Sequence, residues 1–293
     1  MERPVLHRLA HEVGELESLD PPARRLLDLA HRAIRPGRLR STLSGTFLGH
    51  SLHPLLTDVP IGTWTSALVL DAVGGRDSRA AARRLIATGI LASLPTATTG
   101  AVEWADSADR RASTRRIGLV HAAANVAALA LFSASYLARR RDRDDRRGRA
   151  LALVGGAALG VGGHLGGHLS YVNGEGVAAT SFEPGRFEWT PTLPVAELAA
   201  KHPTCVLAGG VPVLLVRAGE RIEALANRCN HRGGPLHEGA VSGGSVTCPW
   251  HGSRFRLTDG SVERGPASSP QPAFEARVRD GRVEVRQKTD PTP

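Results

Sequence analysis

CNHRGGPLHEGAVSGGSVTCPWHGS, residues Cys229 to Ser253, decides how the C-terminal part of this chain folds. The stretch holds two of the chain's three cysteines and three of its twelve histidines. Cys229 and His231 are separated by one residue, Cys248 and His251 by two, so each short run offers one sulfur and one nitrogen donor. Acting together, the two runs must face each other from separate loops. Gly233-Gly234 and Gly243-Gly244 supply the tight turns that such loops need. On either side, VPVLLVRAGERIEAL (211–225) and RVRDGRVEV (277–285) read as strands about Ala218-Gly219 and Asp280-Gly281, which predicts hairpins. Residues 187–288 are therefore expected to form a small all-β domain with a loop-rich tip.

Thiolates suit iron, and imidazoles replacing two of them on one iron raise the reduction potential of a cluster. Cys229 and Cys248 can hold one iron and His231 and His251 the other, through either ring nitrogen. Zinc also accepts two Cys and two His, although structural zinc sites usually pair like ligands within each knuckle. The segments CNHRGGPL, CPWHGSRF and GPA (Gly265 to Ala267) resemble the Rieske 2Fe–2S domain. That resemblance implies a cluster held by Cys229, His231, Cys248 and His251, with a proline-containing loop closing over it at Gly265–Ala267. Respiratory members carry an extra disulfide-bonded Cys in each cluster loop. Those positions here are Gly234 and Trp250, so the resemblance is to the ferredoxin type. High-potential members donate a Ser and a Tyr hydroxyl to cluster sulfurs, and the matching residues here are Ser253 and Phe255. One hydroxyl fewer implies a potential toward the low end of the Rieske range, which Phe255→Tyr is expected to raise. Rieske oxygenases place a 2-His-1-carboxylate iron in a large following domain, and residues 252–293 are expected to be too few for one.

Around the motif, His237 reads as an exposed loop residue and Cys205 as a small buried hydrophobe. Arg228, Arg232, Arg254 and Arg256 flank the ligands, either to dock an acidic partner or as solvated surface. The formal charge of +9 rests almost wholly on Arg, aromatic residues are only 4%, and no basic patch interleaves with aromatics, so nucleic acid is discounted as a partner.

The preceding residues have a different grammar. MERPVLHRLAHEVGELESL is amphipathic, and residues 1–45 read as one or two surface helices split at Pro21-Pro22. Four apolar segments follow at roughly 55–73, 85–104, 117–138 and 150–172, each near the 20 or so residues that a spanning helix needs. They are rich in Ala, Gly, Ser and Thr, which favours close helix packing in lipid. The fold class expected is thus multidomain: an all-α four-helix transmembrane bundle at 46–175, then the all-β domain after a linker at Asn173-Gly174-Glu175-Gly176. SLHPLLTDVPIGTWTSALVLD and GGHLGGHLSYVNGEGV resemble a bacterial four-helix membrane family, domain of unknown function 2231, over residues 48–175. The location expected is the cell membrane, multi-pass, with membrane lipid as a partner. Arginines crowd every loop, RRRDRDDRRGR at 139–149 most of all, so the positive-inside rule sets no side for the β domain.

On a four-span model, His53, His121, His164, His168 and Glu103 all fall within about 12 Å of one membrane face. His164 and His168 share a helix face. Ionisable groups in spans are functional candidates. His121 with His164 or His168 could ligate a b-type haem, a histidine with Glu103 could bind and deprotonate a quinol, or all could merely line a wet vestibule. The function expected is a membrane-anchored carrier of single electrons that exchanges with a redox partner protein. The alternatives are a small quinol-oxidising or haem-containing oxidoreductase, and an iron–sulfur sensor or scaffold.

Overall fold

The computed structural model describes residues 4–108, 111–141, 145–183, 187–200 and 202–288. Val5–Glu15 (α1) and Asp20–Ala33 (α2) are amphipathic helices, but the break falls at residues 16–19 and not at Pro21-Pro22. Both prolines sit in the first turn of α2, where backbone N–H groups have no intrahelical acceptor and a fixed φ already suits the helix. Arg38–Leu43 (α3) is short. The four apolar segments fold as Leu52–Val73 (α4), Arg79–Ala108 (α5), Ala112–Arg141 (α6) and Arg146–Gly167 (α7), the last continued by a π-helical turn, His168–Val172. By length and hydropathy, α5, α6 and α7 with its extension are candidate membrane spans; α4, which carries Asp58 and Asp71, is not among them. The expectation of four spans is thus met for three helices.

The chain divides into two compact units, one of Met1–Ala33 and Leu52–Glu175, the other of Ile34–Ser51 and Gly176–Pro293. In the helical unit only 22% of each candidate span is buried. Leu91, Leu94, Val126, Leu153 and Val154 are all more than half exposed. So much bare apolar surface is costly in water and suits lipid. Inside, Trp64 stacks on Phe132 with ring centroids 4.4 Å apart, and its indole N–H donates to the Ile86 carbonyl at 3.2 Å. The indole fits because residue 89 is glycine: a Cβ there would fall 2.3 Å from the indole nitrogen. At the start of α6, Arg115 and Arg116 each reach Asp20 at 2.9 Å, and Arg116 also donates to the Gly14 carbonyl at the end of α1. These two guanidiniums hold the Asp20 carboxyl well below the usual carboxylate range. Residues 109–110 and 142–144 of the arginine-rich loops lie outside the described residues.

The other unit is built on two antiparallel sheets. Its strands are Thr190–Pro194 (β1), Thr204–Ala208 (β2), Val211–Ala218 (β3), Arg221–Ala226 (β4), Ala240–Ser242 (β5), Ser245–Thr247 (β6), Arg254–Arg256 (β7), Val262–Arg264 (β8), Ala273–Arg279 (β9) and Arg282–Gln287 (β10). Six form one sheet in the order β1-β10-β9-β4-β3-β2, and four form the other in the order β5-β6-β7-β8. The β9–β10 hairpin closes through Asp280 and Gly281, both with positive φ, as the Asp-Gly signal predicts. Val213 and Leu215 of β3 join one core with Ala224, Val283 and Val285. Leu214 and Val216 join a second core with Leu225, Leu236, Val246, Phe255, Cys229 and Cys248. Burial on both faces explains the unbroken apolar run in β3, each such side chain contributing roughly 1.5–3 kcal/mol. The second core draws on both sheets and includes the two cysteines, so the floor of the candidate site is part of the domain's hydrophobic core.

Candidate metal centre

The β4–β5 connection presents Cys229 to Gly234, and the β6–β7 connection presents Cys248 to Ser253. The two loops close in the same way. Gly233 N–H donates to the Cys229 carbonyl at 2.6 Å and Cys229 N–H to the Gly234 carbonyl at 2.8 Å. Gly252 N–H donates to the Cys248 carbonyl at 3.1 Å and Cys248 N–H to the Ser253 carbonyl at 2.8 Å. Both turns need a left-handed residue four positions after the cysteine, and Gly233 and Gly252 supply it at φ 77° and 76°. The unequal Cys-x-His and Cys-x-x-His spacings therefore sit on one shared turn, with the histidine leaving at the second or third position.

That turn also prepares each sulfur to be anionic. Cys229 Sγ accepts from the backbone N–H groups of His231 and Arg232, and Cys248 Sγ from those of Trp250 and His251. Hydrogen bonds to the charged form favour a thiolate. The cysteines are 1% and 2% exposed and hydrogen-bonded to each other. The neighbouring Cys248 and burial raise the Cys229 thiol, while the Cys229 hydrogen bond pushes Cys248 down to about 7. The His231 and His251 rings stand edge to face, centroids 5.1 Å apart, both half-buried. Two sulfurs on the core side and two imidazoles toward solvent fit a group with a thiolate end and an imidazole end.

Buried polar side chains brace the loops. Gln271 Oε1 accepts from Asn230 N–H at 2.9 Å, and its amide donates to the carbonyls of Ala226 and Arg228 at 2.7 and 2.6 Å. Asn230 donates to the carbonyls of Ser269 and Pro270. Ser253, fully buried, accepts from Ala267 N–H at 2.9 Å, which leaves its hydroxyl hydrogen to be donated elsewhere. Gln271 and Asn230 escaped the sequence reading. Neither stands out in the sequence, and only their burial reveals their use.

Several expectations change here. His237 is held in the loop frame, its backbone N–H and Nδ1 both meeting Asn227 Oδ1 at 2.9 and 3.1 Å. Arg232 is buried, Arg254 and Arg256 pair with Glu263 across β7 and β8, and Arg228 is exposed within electrostatic reach of Glu183. Cys205 is exposed, because β2 is an edge strand and Cys205 lies on its outward face. Phe255 is fully buried in the core that contains both cysteines.

In the helical unit the sequence-selected residues separate into groups. His121 Nδ1–H donates to the Gly162 carbonyl at 2.8 Å, and a Cβ on Gly166 would fall 3.0 Å from the His121 ring, so α6 and α7 touch there with no slot for a porphyrin. His53 Nδ1–H donates to the Thr96 carbonyl at 3.0 Å, within electrostatic reach of His121. His164 Nε2 meets the Leu6 carbonyl at 3.3 Å, and the His168 ring lies 5.4 Å from that of His7. His164 and His168 thus face α1 with His7 and His11, two residues that the sequence reading passed over. Glu103 is half-buried near the end of α5. The structure does not join His121 to His164 as a pair of ligands.

Two family models match separate parts of the chain. Residues 188–275 match the family model described as Rieske [2Fe-2S] domain. Residues 49–179 match the model described as Predicted membrane protein (DUF2231). The ferredoxin subunit of anthranilate 1,2-dioxygenase from Burkholderia cepacia is 34% identical over 64 residues, 22% of this chain and 59% of that protein. Apoptosis-inducing factor 3 of Mus musculus is 46% identical over 46 residues, 16% of this chain and 8% of that one. The chain therefore spans less than two thirds of the length of these curated relatives. Among solved structures, the ferredoxin of carbazole 1,9a-dioxygenase from Nocardioides aromaticivorans IC177 is 25% identical, with 35% of this chain and all of that chain covered at a TM-score of 0.33. Residues 188–275 are a Rieske [2Fe-2S] domain, and residues 49–179 belong to the predicted membrane protein family DUF2231.

Proposed function

We propose that the chain is a membrane-anchored carrier of single electrons whose cluster is held by Cys229 and Cys248 on one iron and His231 and His251 on the other. The observation that supports this most is the repeated turn, in which two N–H groups converge on each cysteine sulfur while two imidazoles stand together on the solvent side. Among the described residues, no three His, Cys, Asp or Glu side chains converge as a single-ion site. The mixing of one Cys and one His on each loop speaks for two irons with two protein ligands each, and against one zinc. When bound, the cluster supplies a one-electron couple. The residues do the rest: the backbone N–H groups stabilise the thiolates, the apolar core keeps water from the sulfurs, and the half-buried imidazoles give an outside partner a short path. With Ala267 N–H on its oxygen, the Ser253 hydroxyl would be free to donate to a cluster sulfur, and Phe255, with no hydroxyl, would supply no second such bond.

Anchoring is supported by the DUF2231 match and by three apolar helices with lipid-suited outer faces. A protein donor or acceptor is supported by the kinship with a dioxygenase ferredoxin subunit. The test is an optical difference spectrum, dithionite-reduced minus air-oxidised, on detergent-purified protein, with EPR of the reduced sample. A broad bleach and the EPR signal of a reduced 2Fe–2S centre are expected. Absence of both refutes the reading, and sharp b-type haem bands would add a second centre within the helical unit.

A further inference from the structure

The β unit recruits a segment from far upstream. Residues 34–51 belong to it although they lie before the helices α4 to α7 in sequence, and positions 36–46 fall outside both family matches. Ser41 Oγ accepts from Gly265 N–H at 3.0 Å while donating to the Gly37 carbonyl at 3.1 Å. Thr46 donates its hydroxyl to the Ala267 carbonyl at 3.0 Å. Gly265 is what permits this approach, since a Cβ there would fall 2.3 Å from Thr46 Oγ1 and 3.1 Å from Ser41 Cα. Pro36 lies beside Gly252 in the second cysteine loop. Gly265, Pro266 and Ala267 are all buried, and Ala267 N–H is the group that donates to Ser253 Oγ.

We propose that residues 34–51 are an intramolecular strap that tunes the redox centre, with Thr46 and Ser41 as positioning residues for the Ser253 hydroxyl. Thr46 fixes the Ala267 peptide from its carbonyl side. The N–H of Ala267 fixes the oxygen of Ser253, and the remaining Ser253 hydrogen is thereby aimed at a cluster sulfur. A hydrogen bond to sulfur stabilises the more negative, reduced cluster, so a loosened strap lowers the potential. This rests on the electron-carrier reading above. It adds that a segment beyond the Rieske module sets the module's potential.

The test is a potentiometric titration of the full-length protein in detergent, followed by EPR of the reduced cluster. Thr46→Val removes the hydroxyl at nearly constant shape. The equilibrium constant for reduction should fall about threefold to tenfold, roughly 30–60 mV for a one-electron couple, with iron content unchanged. Thr46→Ser should restore the wild-type value, and Ser41→Ala, acting through Gly265, should shift it in the same direction. In a Ser253→Ala background, Thr46→Val should do nothing further, because the two act through one path. A Thr46→Val protein that fails to load its cluster is replaced in the comparison by Ser41→Ala, alone and with Ser253→Ala. The proposal is overturned by an unshifted potential in loaded strap variants, or by a shift of equal size with and without Ser253. A wild-type protein that gives no 2Fe–2S signal would instead overturn the electron-carrier reading on which the strap depends.

Discussion

Gly234→Ala is a clean perturbation of the centre, because the backbone of Gly234 is one that any residue adopts and the whole penalty is steric. An added Cβ falls 2.8 Å from Cys248 Sγ and 3.0 and 3.1 Å from Cδ2 and Cγ of Trp250. Non-bonded heavy atoms rest at about 3.5–4.0 Å, so the sulfur has to retreat by roughly 1 Å. Thiolate–metal bonds near 2.3 Å hold to within about 0.2 Å, so a displacement of that size should lower iron loading. Overpacking of this kind costs about 1–3 kcal/mol. Each kcal/mol lowers the Tm of a domain of about 100 residues by roughly 4–8 °C. The assay is iron and acid-labile sulfide per chain after purification, with the visible spectrum and thermal unfolding in detergent. Trp250→Ala relieves the ring contact, so the double variant should recover part of its iron. An alanine variant with full iron, full sulfide and an unaltered spectrum would refute the steric reasoning and the placement of Gly234 against Cys248.

Phe255→Tyr should raise the reduction potential while lowering Tm, because the new hydroxyl enters a fully packed core; a redox titration with no upward shift would sink the idea. Arg139→Met should destabilise the helical unit by about 3–5 kcal/mol. It strips a 2% exposed guanidinium from Asp71, at 2.9 Å, and Asp145, at 3.1 Å, and a Tm in detergent within a degree of wild type would contradict that. Asp20 should make the helical unit acid-labile. Its folded-state pKa is depressed by Arg116 and Arg115, so its contribution is present above the ordinary value of about 4 and is lost as pH falls through the folded one. Asp20→Asn should flatten the Tm–pH profile below about pH 5, and parallel profiles for the two proteins would rule the contribution out.

What the sequence by itself determined was local. Cys229, His231, Cys248 and His251 stand at spacings that one glycine-closed turn can serve, and such a turn is specified within six residues. Asp280-Gly281 specifies its hairpin for the same reason, and the apolar lengths of the later helices announce themselves by composition. Tertiary structure decided everything that depends on which distant surfaces meet. Burial on both sides of β3 comes from a second sheet that no local pattern names. Gln271 and Asn230 become braces only where no water competes for their hydrogen bonds. His121 and His164, close on a helix diagram, separate because α6 presses against Gly162 and Gly166 while α1 claims His164 and His168. The N-terminal break fell after α1, not at the prolines, because a first helical turn accepts proline. Residues 34–51 joined the β unit across more than a hundred intervening positions. Hydrogen bonds from Ser41 and Thr46 to a loop so remote in sequence carry no periodicity, so only the folded chain could reveal them.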